Sequence, residues 1–313
     1  MTSEACCVCD KPAVRPLGSR LYCEEHYANA LRENRGFWKS GLVNIGLIAL
    51  FTVVVAGVTA IVPLQLSDTG LVIAGLVIAI VPACLWLAYF YQQDQLEPEP
   101  RHYVLAVFGL ALLITEVVWR YLIQGVFKIG DWIALDNSTA LVGSILVIGF
   151  TLEAIKYAVV RFTVYPTAEF DERMDGIVYG TAAGLGVATM LNINFIIQSG
   201  GAALSPGVIH VVIVALAQAA FGGIVGYFLG EAKFTHEEPW WMPLGITIAA
   251  VTNGLFTYLL AEINQSGITV SPWRGLLFAL LVAVATFGAL LTLIRRAIAH
   301  TLQSDSAKIV RGA

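Results

Sequence analysis

Two groups of residues in this sequence have the types and the spacing to do chemistry. The first is CCVCDKPAVRPLGSRLYCEEHY near the amino terminus, where Cys6, Cys9, Cys23 and His26 form a C-x2-C-x13-C-x2-H pattern. A two-residue gap lets both donors of one tight turn face a single tetrahedral ion, and Pro12, Pro16 and Gly18 supply turns between the two halves. A segment this short cannot bury enough core to fold alone, so a metal staple is expected. A disulfide pair or free thiols are the plainer alternatives, but a cytoplasmic site disfavours disulfides, and Cys7 is left as a spare thiol. Four filled positions close the coordination shell, so the expected ion is a structural zinc and not a catalytic one.

The second group is FTLEAIKY at 150–157, which puts Glu153 and Lys156 inside a long apolar run. Charges facing lipid are costly, so the two must pair with each other, at i and i+3 on one helix, or serve a site. Glu116 and Arg120, at i and i+4, read as a pair that stabilises a bundle. Further along come Asn192, Asn194, Gln218 and Asn253 together with His210, an unusual density of amides and a His for apolar segments. A polar cavity at bilayer depth is the expectation. His210 precedes Gln218 by eight residues, about 12 Å along a helix, and reads as an interfacial or packing residue. His102, His236 and His300 fall outside the apolar runs and read as solvated.

Membrane helices must hold these residues. The chain is 58% hydrophobic and only 13% charged, outside the range of soluble globular domains. Apolar runs near the roughly 20 residues that cross a bilayer stand at about 41–63, 70–91, 104–127, 139–165, 175–198, 207–229, 242–261 and 273–294. The expected fold is therefore all-α, a polytopic bundle of about eight transmembrane helices behind a small zinc-stapled module. Its parts are the module at 1–27, a short amphipathic interfacial helix at 28–40 bearing Trp38 and Lys39, the bundle at 41–295 and a tail at 296–313. The first forty residues are polar, so the first span is expected to be its own insertion signal. Of the Lys and Arg residues that flank the spans, only Lys128 and Arg274 fall opposite the termini, which predicts both termini in the cytoplasm. A net charge of −4, with acidic residues clustered in DQLEPEP, EFDERMD and HEE, argues against a nucleic-acid partner. There is no P-loop, GxSxG elbow, HExxH or GxGxxG after a strand, and no soluble cofactor is expected. A transporter would be the use for intramembrane Glu, Lys and Arg, but no inverted repeat stands out.

The stretches YFYQQDQLEPEP (89–100), FTLEAIK (150–156), EFDERMDGIVYGTAAGLGVA (169–188) and FGGIVGYFLGEAK (221–233) resemble the PrsW-type intramembrane metalloproteases, distant relatives of the CAAX prenyl endopeptidases. The resemblance covers roughly 86–260 and implies a catalytic metal held by a Glu pair in EExxK, a Glu-Asn pair one span later, and one His on each of the next two spans. At those positions this sequence has Leu152 with Glu153 and Lys156, then Leu191 with Asn192, then Gln218, then Asn253, with Thr257 beyond it. Leu offers no donor, and Gln and Asn are weak ligands for a transition metal. The expectation is therefore no catalytic metal and no catalytic residue. A hydrogen-bonded Gln–Asn–Asn–Glu–Lys cluster would instead crosslink the helices. The function this implies is a catalytically inactive PrsW-like protein, a scaffold, membrane chaperone or accessory subunit whose partners are the bilayer and other membrane proteins. The alternative is an active intramembrane protease with a shifted ligand set that includes His210 and Glu153. The expected address is a bacterial or archaeal cytoplasmic membrane.

Overall fold

The computed structural model describes residues 5–6, 8–17, 20–31, 37–61, 68–92, 99–198, 204–235, 237–265, 288–300 and three pairs within 277–285. The amino-terminal module is a hairpin of β1 (Arg15–Leu17) and β2 (Arg20–Tyr22), in register Arg15 with Tyr22, followed by α1 (Glu24–Leu31). The rest is helical: α2 (Phe37–Ile61), α3 (Asp68–Tyr91), α4 (Arg101–Val126), the short α5 (Ile129–Trp132), α6 (Asn137–Thr163), α7 (Arg173–Gln198), α8 (Leu204–Phe234) and α9 (Trp241–Gln265). Among the described residues, six of these helices, α3, α4 and α6 to α9, are long and apolar enough to cross a membrane, and α2 contributes a shorter apolar stretch, Val43–Val55. Residues 288–300 are helical, while most of the run at 273–287 lies outside the described residues. Of the stretch 28–40, residues 28–31 end α1 and 37–40 begin α2.

Two helices are the centre of the bundle. Every residue of α7 from Arg173 to Thr189 is buried, and α8 is nearly as enclosed. Glycines let them approach this closely. A Cβ on Gly176 would lie 2.1 Å from the Gly226 carbonyl oxygen, one on Gly180 2.3 Å from that of Gly222, and one on Gly184 2.1 Å from that of Gln218. The small-xxx-small spacing brings backbone against backbone, which is how helices associate where lipid removes the hydrophobic drive. This contact also fixes the height of Gln218 against α7.

Two helices contain wider, π-helical turns, Trp119–Val126 closing α4 and Ser144–Gly149 inside α6. The second lies directly before Phe150 and the segment of Glu153 and Lys156. At its start α6 is capped by Asp136, whose Oδ1 accepts from the backbone N–H groups of Ser138 (2.8 Å) and Thr139 (2.9 Å), while Thr139 Oγ1 accepts from the Asp136 N–H at 3.2 Å. Farther in, Gly149 of α6 meets Ala250 of α9, and Gly254 of α9 meets Ile145, again with no room for a Cβ.

Candidate functional site

The buried charges form a closed ring. Lys156 Nζ donates to Glu153 Oε1 at 2.6 Å and to Gln218 Oε1 at 2.7 Å. Asn253 Nδ2 donates to Glu153 Oε1 at 2.6 Å, and Gln218 Nε2 donates to Asn253 Oδ1 at 2.9 Å. α6, α8 and α9 thus meet at four side chains, all buried, and the ammonium also sits 5.6 Å from the centre of the Phe221 ring. Low dielectric strengthens each of these bonds and makes each of them costly to break.

Asn192, expected in the same cluster, is not in the ring. Gly184 faces Gln218, and Asn192 lies eight residues farther along α7, about 12 Å toward the other end. There its Nδ2 donates to the Val211 carbonyl at 3.1 Å. His210 occupies that same level and stacks on Phe195 with centroids 3.8 Å apart, a packing role. Asn194 Nδ2 donates to Glu116 Oε2 at 3.1 Å, so the Glu116–Arg120 pair is tied to α7 even though Arg120 itself is exposed. Leu152 is buried and Leu191 half-buried among apolar neighbours, so neither position offers a polar atom.

Three polar contacts at the other end of the bundle were not legible in the sequence. Glu99 of the LEPEP stretch is buried, with Oε2 accepting from the Tyr179 hydroxyl at 2.5 Å and its carbonyl accepting from Tyr91 at 2.8 Å. Glu231 accepts from Arg173 Nε at 3.2 Å and lies 3.0 Å from His300 Nδ1, so His300 is not merely solvated. Lys233 donates to the carbonyls of Tyr165 and Phe170, both at 2.6 Å. His102 is exposed, and His236 lies outside the described residues.

The amino-terminal donors also converge. Cys23 directly precedes α1 and His26 lies in its first turn, so the helix itself sets their spacing, and Tyr27 N–H closes onto the Cys23 carbonyl at 2.8 Å. His26 Nδ1 lies 3.6, 3.4 and 3.2 Å from the sulfurs of Cys6, Cys9 and Cys23, and Cys9 and Cys23 are 3.9 Å apart. Tetrahedral zinc with ordinary bond lengths requires S···S and S···N edges of about 3.8 and 3.6 Å; these four edges are close to that, and all four donors lie within 4.8 Å of one another, so the set could hold one ion. Among the described residues this is the only group of three or more His, Cys, Asp or Glu with ligand atoms this close. Burial pushes the Cys6 thiol up, but backbone hydrogen bonds from Cys23, Val8 and Cys9 and the side chain of His26 outweigh it and bring it down to about 6, where thiolate is abundant at neutral pH.

Fold and site together define a polytopic helical membrane protein with an intramembrane polar ring and a separate metal-ready module. The profile of the PrsW family intramembrane metalloproteases matches residues 99–294, and the chain belongs to that family. It is 30% identical over 190 residues to Protease PrsW of Bacillus subtilis (strain 168), covering 59% of this chain and 82% of that protein. Protease PrsW of Geobacillus kaustophilus is 29% identical over 189 residues, 60% of this chain and 80% of its own, and that of Oceanobacillus iheyensis 28% over 202 residues, 64% and 88%. No solved structure matches. The family match begins at Glu99, so the Cys/His module lies outside it.

The family description implies a metal, and the intramembrane donors do not fit one. Glu153 is the only carboxylate of the ring, its Oε1 is shared by an ammonium and an amide, and Gln218 and Asn253 are neutral and bonded to each other. The Cys/His module does fit a metal, through Cys6, Cys9, Cys23 and His26.

Proposed function

We propose that this chain is a noncatalytic PrsW-family protein, a scaffold, chaperone or accessory subunit for other membrane proteins. One observation carries the reading: the ammonium of Lys156 occupies the ring where a metal would need ligands, bonded to the one carboxylate available. Hydrolysis by a metal needs about three strong ligands, an open position and a base for the bound water. Here Leu152 and Leu191 offer nothing, and Glu153 is engaged by Lys156. The amino-terminal module holds structural zinc through a thiolate-rich set that favours this ion. The Lys and Arg distribution supports a cytoplasmic address for both termini, and so for the module.

A second reading is favoured by the names of these relatives, each a Protease PrsW. In it the chain cleaves membrane proteins with a shifted ligand set that recruits His210. Elemental analysis of purified wild type and of a Cys9→Ser/Cys23→Ser variant separates the two readings. One equivalent of zinc, lost entirely in the variant, is the expected result. A further equivalent that persists in the variant would sink the noncatalytic reading.

A further inference from the structure

At the turn from α8 to α9 the surface opens into a hollow of about 420 Å³, whose lining includes Lys233, Thr235, Glu237, Glu238, Trp241 and Met242. The charge it presents is negative. Lys233 turns its ammonium onto the carbonyls of Tyr165 and Phe170, whereas Glu237 and Glu238 are exposed and, among the described residues, in no ion pair. Glu237 Oε1 accepts from Thr235 Oγ1 at 2.8 Å, which holds that carboxylate in place. Trp241 is held as well, because its Nε1 donates to the Phe228 carbonyl at 3.1 Å and its ring lies 4.5 Å from that of Phe228. Two carboxylates beside a fixed indole and a thioether suit a segment that carries cations next to aliphatic side chains.

The last described helix leads such a segment here. His300 Nδ1 lies 3.0 Å from Glu231 Oε1, and Glu231 stands one helical turn before Thr235. Residues 301–313, TLQSDSAKIVRGA, follow His300 and lie outside the described residues. Their two cations, Lys308 and Arg311, flank Ile309 and Val310. The chain from His300 to Lys308 can span up to about 26 Å when extended, against the roughly 6 Å of that helical turn. We propose that the KIVR stretch of this tail docks in the hollow, with Lys308 and Arg311 on Glu237 and Glu238 and the aliphatic residues between them against Trp241 and Met242. Exposed ion pairs are individually weak, so a free basic segment gains little here, whereas a tethered one is already present at an effective concentration on the order of mM. The docked tail straps the last helix to the α8–α9 turn beside the His300–Glu231 contact, whether or not the chain is catalytic.

The test treats the full chain in lipid nanodiscs with a zero-length carbodiimide, which joins an amine to a carboxylate only where the two touch. Mass spectrometry of the monomer is expected to find Lys308 linked to Glu237 or Glu238. The yield should drop in about 1 M salt, where the screening length is about 3 Å. Arg311→Glu leaves Lys308 free to react and should lower the yield roughly 3-fold or more. Reversing all four charges, with Glu237→Lys, Glu238→Lys, Lys308→Glu and Arg311→Glu together, should restore a linkage between the same two stretches. These positions on the turn and the tail lie outside the packed core, so the variants keep the bundle intact. Absence of the wild-type linkage, Lys308 linked evenly to other exposed carboxylates, or an unchanged yield in Arg311→Glu overturns the inference. Linkage confined to dimers also overturns it, by giving the hollow to the tail of a second copy.

Discussion

Replacing Lys156 by Met tests whether the ring stabilises the bundle. The ammonium makes two hydrogen bonds at 2.6 and 2.7 Å, one to a buried carboxylate and one to a buried amide. Bonds to charged groups contribute about 1.5–3 kcal/mol each. Breaking a buried ion pair from one side costs about 3–5 kcal/mol, because the partner charge is stranded. The two routes agree, and Met is close enough to the lysine stem in shape that cavity formation adds little. The unfolding midpoint in detergent should fall by roughly 6–20 °C, using the slope of about 2–4 °C per kcal/mol for domains of about 200 residues. Glu153→Gln/Lys156→Met removes both charges and should recover most of the loss, since replacing a buried pair whole is often neutral. Unfolding curves of the wild type, both single variants and the double variant complete the cycle. Equal midpoints for wild type and Lys156→Met, or a double variant no better than the sum of the singles, would refute the reasoning.

Gly226→Ala puts a Cβ 1.8 Å from the Gly176 carbonyl oxygen, backbone that cannot move without separating α7 from α8, and should cost at least about 2 kcal/mol; a detergent melt indistinguishable from wild type would contradict the packing. Asp136 is held below the usual carboxylate range by the Thr139 backbone N–H and, further, by Ser138. Its lowered folded value means that the stabilisation is present above the unfolded carboxylate range and is lost as pH falls through the folded one. Asp136→Ala should therefore lower the midpoint at neutral pH and flatten its decline in acid, as a pH series of melts would show.

The spans and the four Cys/His donors were readable because their signals are local. Twenty apolar residues in a row, or two donors two residues apart, mean much the same in any context. Glu153, Lys156, Gln218 and Asn253 were readable as buried polar groups, because lipid leaves them nothing else to do. Which of them would meet depended on the height at which α7 lies against α8, set by Gly176, Gly180 and Gly184, and the sequence gives no direct measure of it. That is why Asn192 was expected in the ring and is found a level away on Val211. Glu99, Glu231 and Lys233 were missed for a related reason: residues near the ends of apolar runs read as solvated, and only the packed bundle shows that Tyr179, Arg173 and the Tyr165 and Phe170 carbonyls reach them.

The wide turns at Ser144–Gly149 bear on how this helix can change over generations. Each residue there advances the chain by less than the about 100° of an α-helix, so the two halves of α6 are out of phase. Gly149, at the end of the wide turns, packs on Ala250 of α9, and one turn later Glu153 accepts from Asn253 of the same helix. Such a turn is what a one-residue insertion leaves behind when a helix absorbs it without breaking. Losing a single residue from SILVIG would let this stretch return to a regular α-helix while both charges keep their partners, so the helix can shed the wide turn without dismantling the ring.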